Sequence, residues 1–354
     1  IFALSGAERG RTAFGQVDST SLAPFALEAT WPLPAAPGRP LDLALDGDGR
    51  LYAVDASHHS VKVFDASGRL QAEWAFAADE EVLVPQAVLV DDLRSLVHVL
   101  WGSHAVADAG LVFQGLRLDS RRPDGSQTRP LRALSGIGAL EDAAFQAASN
   151  ELVLWSDGQI RRLRADSTWQ VGSFAAPTGS GLGRLAALSD GRIGLFHAGD
   201  GRIDLVTPEG IPAGSVNLAG LRALAADGLP GGGLGMTLGG SDPNDPSALG
   251  YLTVDAQGNR TDSRTLGQLG MPATAAFDWP WALAVGGQGM ALTAGGRQYQ
   301  TLRYDGAGTR RFALAGGPVQ PKPVATPIDR SGEAAMGLAA DGEGGLGVFD
   351  GADS

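Results

Sequence analysis

The sequence predicts an all-β chain: a seven-bladed β-propeller of four-stranded antiparallel blades, its ring closed by strands from both termini. Three observations carry that expectation. Residues 40–76 spell out four short strands joined by tight turns. Two kinds of Gly- and Asp-rich turn then recur in alternation along the chain, seven of each. Finally, 52 of the 354 residues are glycine, and they fall between apolar runs with no collagen-like period, as turn residues do.

The best-patterned unit starts with Leu41, Leu43 and Leu45 alternating with Asp42 and Ala44, the period of two of a half-buried strand. Asp46-Gly47-Asp48-Gly49 supplies a turn, and a second strand runs from Leu51 to Asp55. Ser57, His58, His59 and Ser60 interrupt the apolar run before a third strand, Val61 to Asp65. Ala66-Ser67-Gly68 then turns the chain into a fourth, where Leu70, Ala72, Trp74 and Phe76 alternate with Gln71, Glu73 and Ala75. Four antiparallel strands in about 40 residues make one propeller blade.

Turns between first and second strands are expected at Asp46–Gly49, Asp91–Ser95, Ala147–Asn150, Ser189–Gly191, Gly228–Gly232, Gly286–Gly289 and Asp341–Gly344. Those between third and fourth strands fall at Asp18–Ser21, Asp65–Gly68, Asp119–Gly125, Asp166–Thr168, Thr207–Gly210, Asp255–Gly258 and Asp305–Gly308. The blades of one domain, 1–354, then span 40–76, 85–134, 140–177, 181–219, 221–268 and 273–315, with a last blade joining 336–350 to 12–34. Leu27, Ala29, Trp31 and Leu33 repeat the fourth-strand pattern of Leu70, Ala72, Trp74 and Phe76. A ring completed by both chain ends leaves no long open edge. Six blades plus an N-terminal arm is the alternative.

Hydrophobic residues at 44% and charged residues at 19% suit a buried core. A formal net charge of −12, with Lys62 and Lys322 as the sole lysines, argues against a nucleic-acid surface. The Arg-rich, Lys-poor balance suits a GC-rich bacterial source. There are no cysteines, which removes disulfides, thiol nucleophiles and thiolate metal sites. No apolar run approaches the roughly 20 residues of a membrane-spanning helix. The start at Ile1 reads as a mature chain whose signal peptide has been removed, and the expectation is an extracytoplasmic protein, periplasmic or secreted. A peripheral or tethered association with a membrane complex stays open.

In such blades the connections between second and third strands emerge on the same face as the blade-to-blade connections. The long segments 102–110, 239–250, 267–280 and 316–335 all belong to that set, and long loops on a rigid scaffold are where binding residues concentrate. Candidate partner-binding residues are therefore His104, Asp242, Asn244, Asp245, Trp279, Trp281, Pro321 and Pro323. Tolerated surface insertion is the plain alternative, and inter-blade packing the plain alternative for the tryptophans. His58, His59 and His197 share the face with His104 and could ligate zinc, while Asp242 and Asp245 offer the oxygen ligands calcium prefers. Rim histidines and ordinary turn formers explain the same residues. No cofactor is required by this reading. No G-x-S-x-G elbow, phosphate-cradling loop or H-E-x-x-H motif is present, so no catalytic residue is assigned.

The run from Leu43 to Gly68, with its D-x-x-G turn, Leu51-Tyr-Ala-Val-Asp55 strand and His59-Ser-Val-Lys-Val-Phe-Asp65 segment, resembles an NHL repeat. It departs at His58, where the family has Asn, and at Ser60, where Arg or Lys is usual. The resemblance implies a propeller whose relatives serve as protein-interaction platforms, as RNA-binding modules with basic faces, and as a few enzymes with a metal at the central channel. With an acidic chain, the expectation is an exported non-enzymatic scaffold or accessory subunit of a larger assembly, binding protein partners through its loop-rich face. A metal-dependent hydrolase or lyase acting at the channel is the alternative.

Overall fold

In a computed structural model the chain folds as a β-propeller. The structure describes residues 30–31, 336–340 and 346–350, and residues 40–315 except 56–57, 77–80, 108–109, 168, 177–181, 198–200, 219–220, 230–231, 240–249, 266–267, 269–279, 287–288, 295–299 and 305–309. Blade 1 runs outward through Pro40–Leu45, Leu51–Asp55, Ser60–Phe64 and Leu70–Ala75, each strand antiparallel to the last. These bounds lie within a residue or so of those predicted. Blades 2 to 5 repeat the same inner-to-outer order with inner strands Glu81–Asp91, Leu140–Gln146, Leu182–Ala187 and Arg222–Gly228. Blade 6 begins at Pro280–Gly286 and ends at Arg310–Ala315, where a further strand, Thr30–Trp31, is added in parallel.

The turns show why Asp and Gly punctuate the chain. In blade 1 the Asp46 carboxylate accepts the Asp48 and Arg50 amides at 3.0 and 2.8 Å, and Gly49 turns at φ 82°. Asp65 does the same for Ser67 and Arg69 before Gly68 at φ 85°, and Asp255 for Gln257 and Asn259 before Gly258 at φ 86°. An Asx turn followed by a left-handed residue is a local device written in the sequence.

The second and third strands of blade 1 are buried at every position, because both faces are covered by neighbouring blades. Only the outer strand alternates. Between blades 1 and 2 lie Tyr52, Val63, Trp74, Val88 and Trp101, and between blades 2 and 3 lie Leu89, Leu100, Leu118, Leu152 and Leu163. Each such side chain contributes on the order of 2 kcal/mol by leaving water.

The seven-bladed closure is corrected by the ring itself. Each inner strand packs on the next, and that of blade 6 packs directly on that of blade 1, with Ala284 and Ala291 buried against Leu43, Leu45 and Phe64. Five four-stranded sheets and the five-stranded sheet therefore complete the circle. Thr30–Trp31 joins the rim of blade 6 through the pairs Thr30↔Ala313 and Trp31↔Leu314. Met336–Ala340 and Leu346–Asp350 pair with each other in a two-stranded sheet of their own, and among the described residues neither pairs with Thr30–Trp31 as the expected shared blade requires. Alternation marks a strand without naming its partner.

The segment 102–110 is also corrected. It continues a hairpin in which Leu96–Ala107 and Gly110–Arg121 pair as far as Ala107↔Gly110, so a β-ribbon stands where a loop was expected. The predicted turn at Asp341–Gly344 and those at Asp18–Ser21 and Asp305–Gly308 fall wholly or largely outside the described residues.

Candidate functional site

The six inner strands leave a channel with a cavity of about 280 Å3 along its axis. Asp42 of blade 1 and Asp227 of blade 5 line it, and Asp142 of blade 3 is close enough to Asp42 to influence it. Each accepts the backbone N–H of the next blade's inner strand. Asp42 takes Val88 at 2.9 Å, Asp142 takes Leu185 at 2.6 Å and Asp227 takes Val285 at 2.7 Å. The ring is thus pinned from blade 1 to 2, from 3 to 4 and from 5 to 6. Shifts in register at Pro40/Leu43 and Leu140/Asp142 help to aim the first two, since a bulge redirects side chains. Asp227 stands opposite Gly235, one step before the pair that closes the hairpin.

Asp42, Asp142 and Asp227 are each half-buried. Burial raises Asp42 to about 8, against the pull of the Val88 and Leu43 amides, and the charge of Asp142 pushes it further in the same direction. Burial raises Asp227 to about 7. It raises Asp142 too, opposed first by Arg184, whose Nη1 lies 3.8 Å from Asp142 Oδ1. Arg184 Nε donates to Leu224 O at 2.9 Å, tying blade 4 to blade 5.

Gln146, at the turn-side end of the blade 3 inner strand, also lines the cavity. It is 3% exposed, and its Nε2 has no hydrogen-bond partner. Gly191 of the blade 4 turn sits over this amide, where an added Cβ would come within 3.8 Å of Nε2.

On the opposite face, buried Asp55 holds His58 Nδ1 at 2.8 Å and Lys62 Nζ at 2.7 Å. A carboxylate only accepts, so Nδ1 carries the proton there. Burial lowers the pKa of the neighbouring His59, and His104 lowers it further from across the blade boundary, so these two predicted residues lie near each other. His104 itself lies within the strand Leu96–Ala107, with Nδ1 3.1 Å from Gly102 O and its ring edge-on to Phe113. At the ribbon's base Glu81 accepts from Ser103 and from Arg117 at 2.8 and 3.0 Å, and the Ser103 bond first, then Arg117, lowers its pKa.

His197 ends the strand Ile193–His197; it is buried, with Nε2 2.9 Å from Asp204 Oδ2, and is not brought to the other histidines by any contact described. Trp281 falls in the inner strand of blade 6. Asp242, Asn244, Asp245, Trp279, Pro321 and Pro323 lie outside the described residues. Among the described residues no three His, Asp or Glu side chains converge as a zinc or calcium site requires. Among the described residues no helix is long and apolar enough to cross a membrane.

Sequence reasoning missed the channel acids because Asp42 reads as the solvent half of an alternating strand. In an inner strand that half faces the lumen. Fold and site together define a β-propeller with a polar, carboxylate-lined channel. No family model matches the chain, and no curated protein matches it in sequence.

Proposed function

We propose that this propeller is a protein-interaction platform of NHL type, an extracytoplasmic accessory subunit that holds its partner on the face carrying the connections between second and third strands. The observation that carries the reading is the blade 2 ribbon. The outer strand of that blade, Gln127–Leu134, stops at the pair Leu116↔Leu134. Beyond that point Gly110–Gly115 has no strand on its outer side among the described residues, and Val112 is 47% exposed there. An open strand edge with apolar side chains is a template for main-chain pairing with another polypeptide. The Gln114 side chain, which reaches back to Val112 O at 3.4 Å, covers one acceptor of that stretch.

The cysteine-free, acidic composition supports residence outside the cytoplasm and argues against nucleic acid as the partner. Replacing residues 106–111 with a two-residue turn removes the ribbon tip while leaving the six inner strands intact. The expected result is loss of proteins that co-purify with the chain from its native source, with the far-ultraviolet circular dichroism unchanged. Undiminished co-purification would overturn the reading.

A further inference from the structure

We propose that the hub carries a self-modification site, Asp227-Gly228, at which the backbone closes onto the aspartyl side chain to give a succinimide and, after hydrolysis, isoaspartate. The pair ends the inner strand of blade 5, Arg222–Gly228, and both residues line the central cavity. Gly228 N–H donates to Asp227 Oδ1 at 2.8 Å. The amide nitrogen thus lies against the carboxyl of the residue before it, and rotation about the Cβ–Cγ bond presents Cγ to it. Glycine puts no side chain over that nitrogen, and the fold admits none, because a Cβ at 228 would run into Ala187 O of blade 4.

The step balances without an oxidant or reductant. The Gly228 nitrogen bonds to Cγ and gives up its proton, the C–OH bond of the carboxyl breaks, and hydroxyl and proton leave as one water. Hydrolysis of the five-membered imide returns a water at either carbonyl, so the chain then continues through the α-carbonyl, as aspartate, or through Cγ, as isoaspartate. The carboxyl has to react as the acid, since a carboxylate would have to expel oxide. Burial raises Asp227 to about 7, opposed by the Val285 and Gly228 amides, so a large share of it is protonated near neutral pH.

The other Asp-Gly pairs among the described residues lack one or both conditions. Their glycine amides are taken elsewhere: Gly47 N–H goes to Asp92 Oδ1 at 2.7 Å, Gly49 to Asp46 O at 2.9 Å, Gly125 to Arg122 O at 2.8 Å and Gly191 to Leu188 O at 3.0 Å. The Asp157 carboxyl is turned to Gly138 N–H and Ser156 Oγ. Ser126 holds Asp124 below the usual carboxylate range, and Asp190, despite burial, is held there by Arg192. Modification at 227 also has a structural consequence. Asp227 Oδ2 accepts Val285 N–H at 2.7 Å, and running the chain through Cγ consumes the carboxyl that pins blade 5 to blade 6. The inference does not rest on the interaction reading above.

The test is peptide mapping of the folded full chain kept near neutral pH for several weeks, with electron-transfer fragmentation to separate isoaspartate from aspartate. Expected is isoaspartate at Asp227 at least about 10-fold above that at Asp46, Asp124 and Asp190, with a peptide lighter by one water as its precursor. In denaturant, where burial and the contact between Gly228 N and Asp227 Oδ1 are gone, the same positions should convert alike. Conversion at Asp227 no faster than at the other three in the folded chain, or a preference for Asp227 that survives denaturation, would each overturn the proposal. The comparison is made within one unaltered chain, so it needs no variant that has to fold.

Discussion

The boundary between blades 1 and 2 and the boundary between blades 2 and 3 join the same kinds of sheet by different means. The first is aromatic and pinned at the hub. Trp74 lies 5.6 Å from Tyr52, Phe76 meets Trp101 edge-on at 5.0 Å, and Arg121 sits over Trp74 and Phe76 at 5.5 and 5.1 Å, while Asp42 holds the Val88 amide. The second is aliphatic and fastened away from the hub, where Arg132 donates to Ala165 O and Asp166 O at 2.7 and 2.8 Å. In place of a hub carboxylate it contains His98, 2% exposed, with Nδ1 2.9 Å from Ser120 Oγ and its ring 5.3 Å from Phe145. One fold thus tolerates two solutions, an acid disfavoured as an anion at one boundary and a base disfavoured as a cation at the next.

The largest expected effect tests the aromatic side. Trp74→Ala leaves a cavity where an indole touched both blades, and should cost about 3–5 kcal/mol by denaturant unfolding. Next comes the pin. Asp42→Leu leaves the Val88 amide buried without an acceptor and should cost about 1–3 kcal/mol, whereas Asp42→Asn keeps an acceptor and should cost less.

The two boundaries should also respond to pH in opposite directions. Asp42 and Asp227 are raised above the usual carboxylate range, so the folded state binds more protons than the unfolded one between about pH 4 and their folded values of about 8 and 7. Their contribution is full below pH 4 and is lost as pH rises. Burial lowers His98 to about 4, with Asp91 resisting and Arg132, Arg94 and Arg129 adding repulsion. Its contribution is present above about pH 6.5 and is lost as pH falls toward 4. Melting curves of Asp42→Asn should flatten the alkaline decline, and those of His98→Phe the acid one; a variant that leaves its own limb unchanged would remove that group from the account. The smallest effect belongs to the exposed ribbon, where Val112→Lys should change stability by no more than about 0.5 kcal/mol and still impair partner capture.

Much of this architecture is legible in the residues. The strands of blade 1 follow from alternation and from Asx-Gly turns, both of which act over a few residues. The number of blades does not follow, because ring closure depends on how Ala284 and Ala291 meet Leu43 across the whole chain. Gly102, Ser103 and Ala105 look like loop residues, yet a β-ribbon is held by backbone pairs that any of them can make. Asp42 is in plain view, but a carboxylate between leucines signals water without saying whether that water is bulk or confined. Gln146 gives no local signal at all; its meaning arises only when Gly191 from another blade arrives above it.

The alternation of hub pins has a consequence for changing the size of the circle. Because an acid reaches forward from every odd-numbered blade and none of the three pins starts from an even one, the repeating module of the hub is a doublet. Duplications or excisions made two at a time would keep each side chain opposite the amide it serves, and a change by a single sheet would strand one of them against a neighbour with nothing to give.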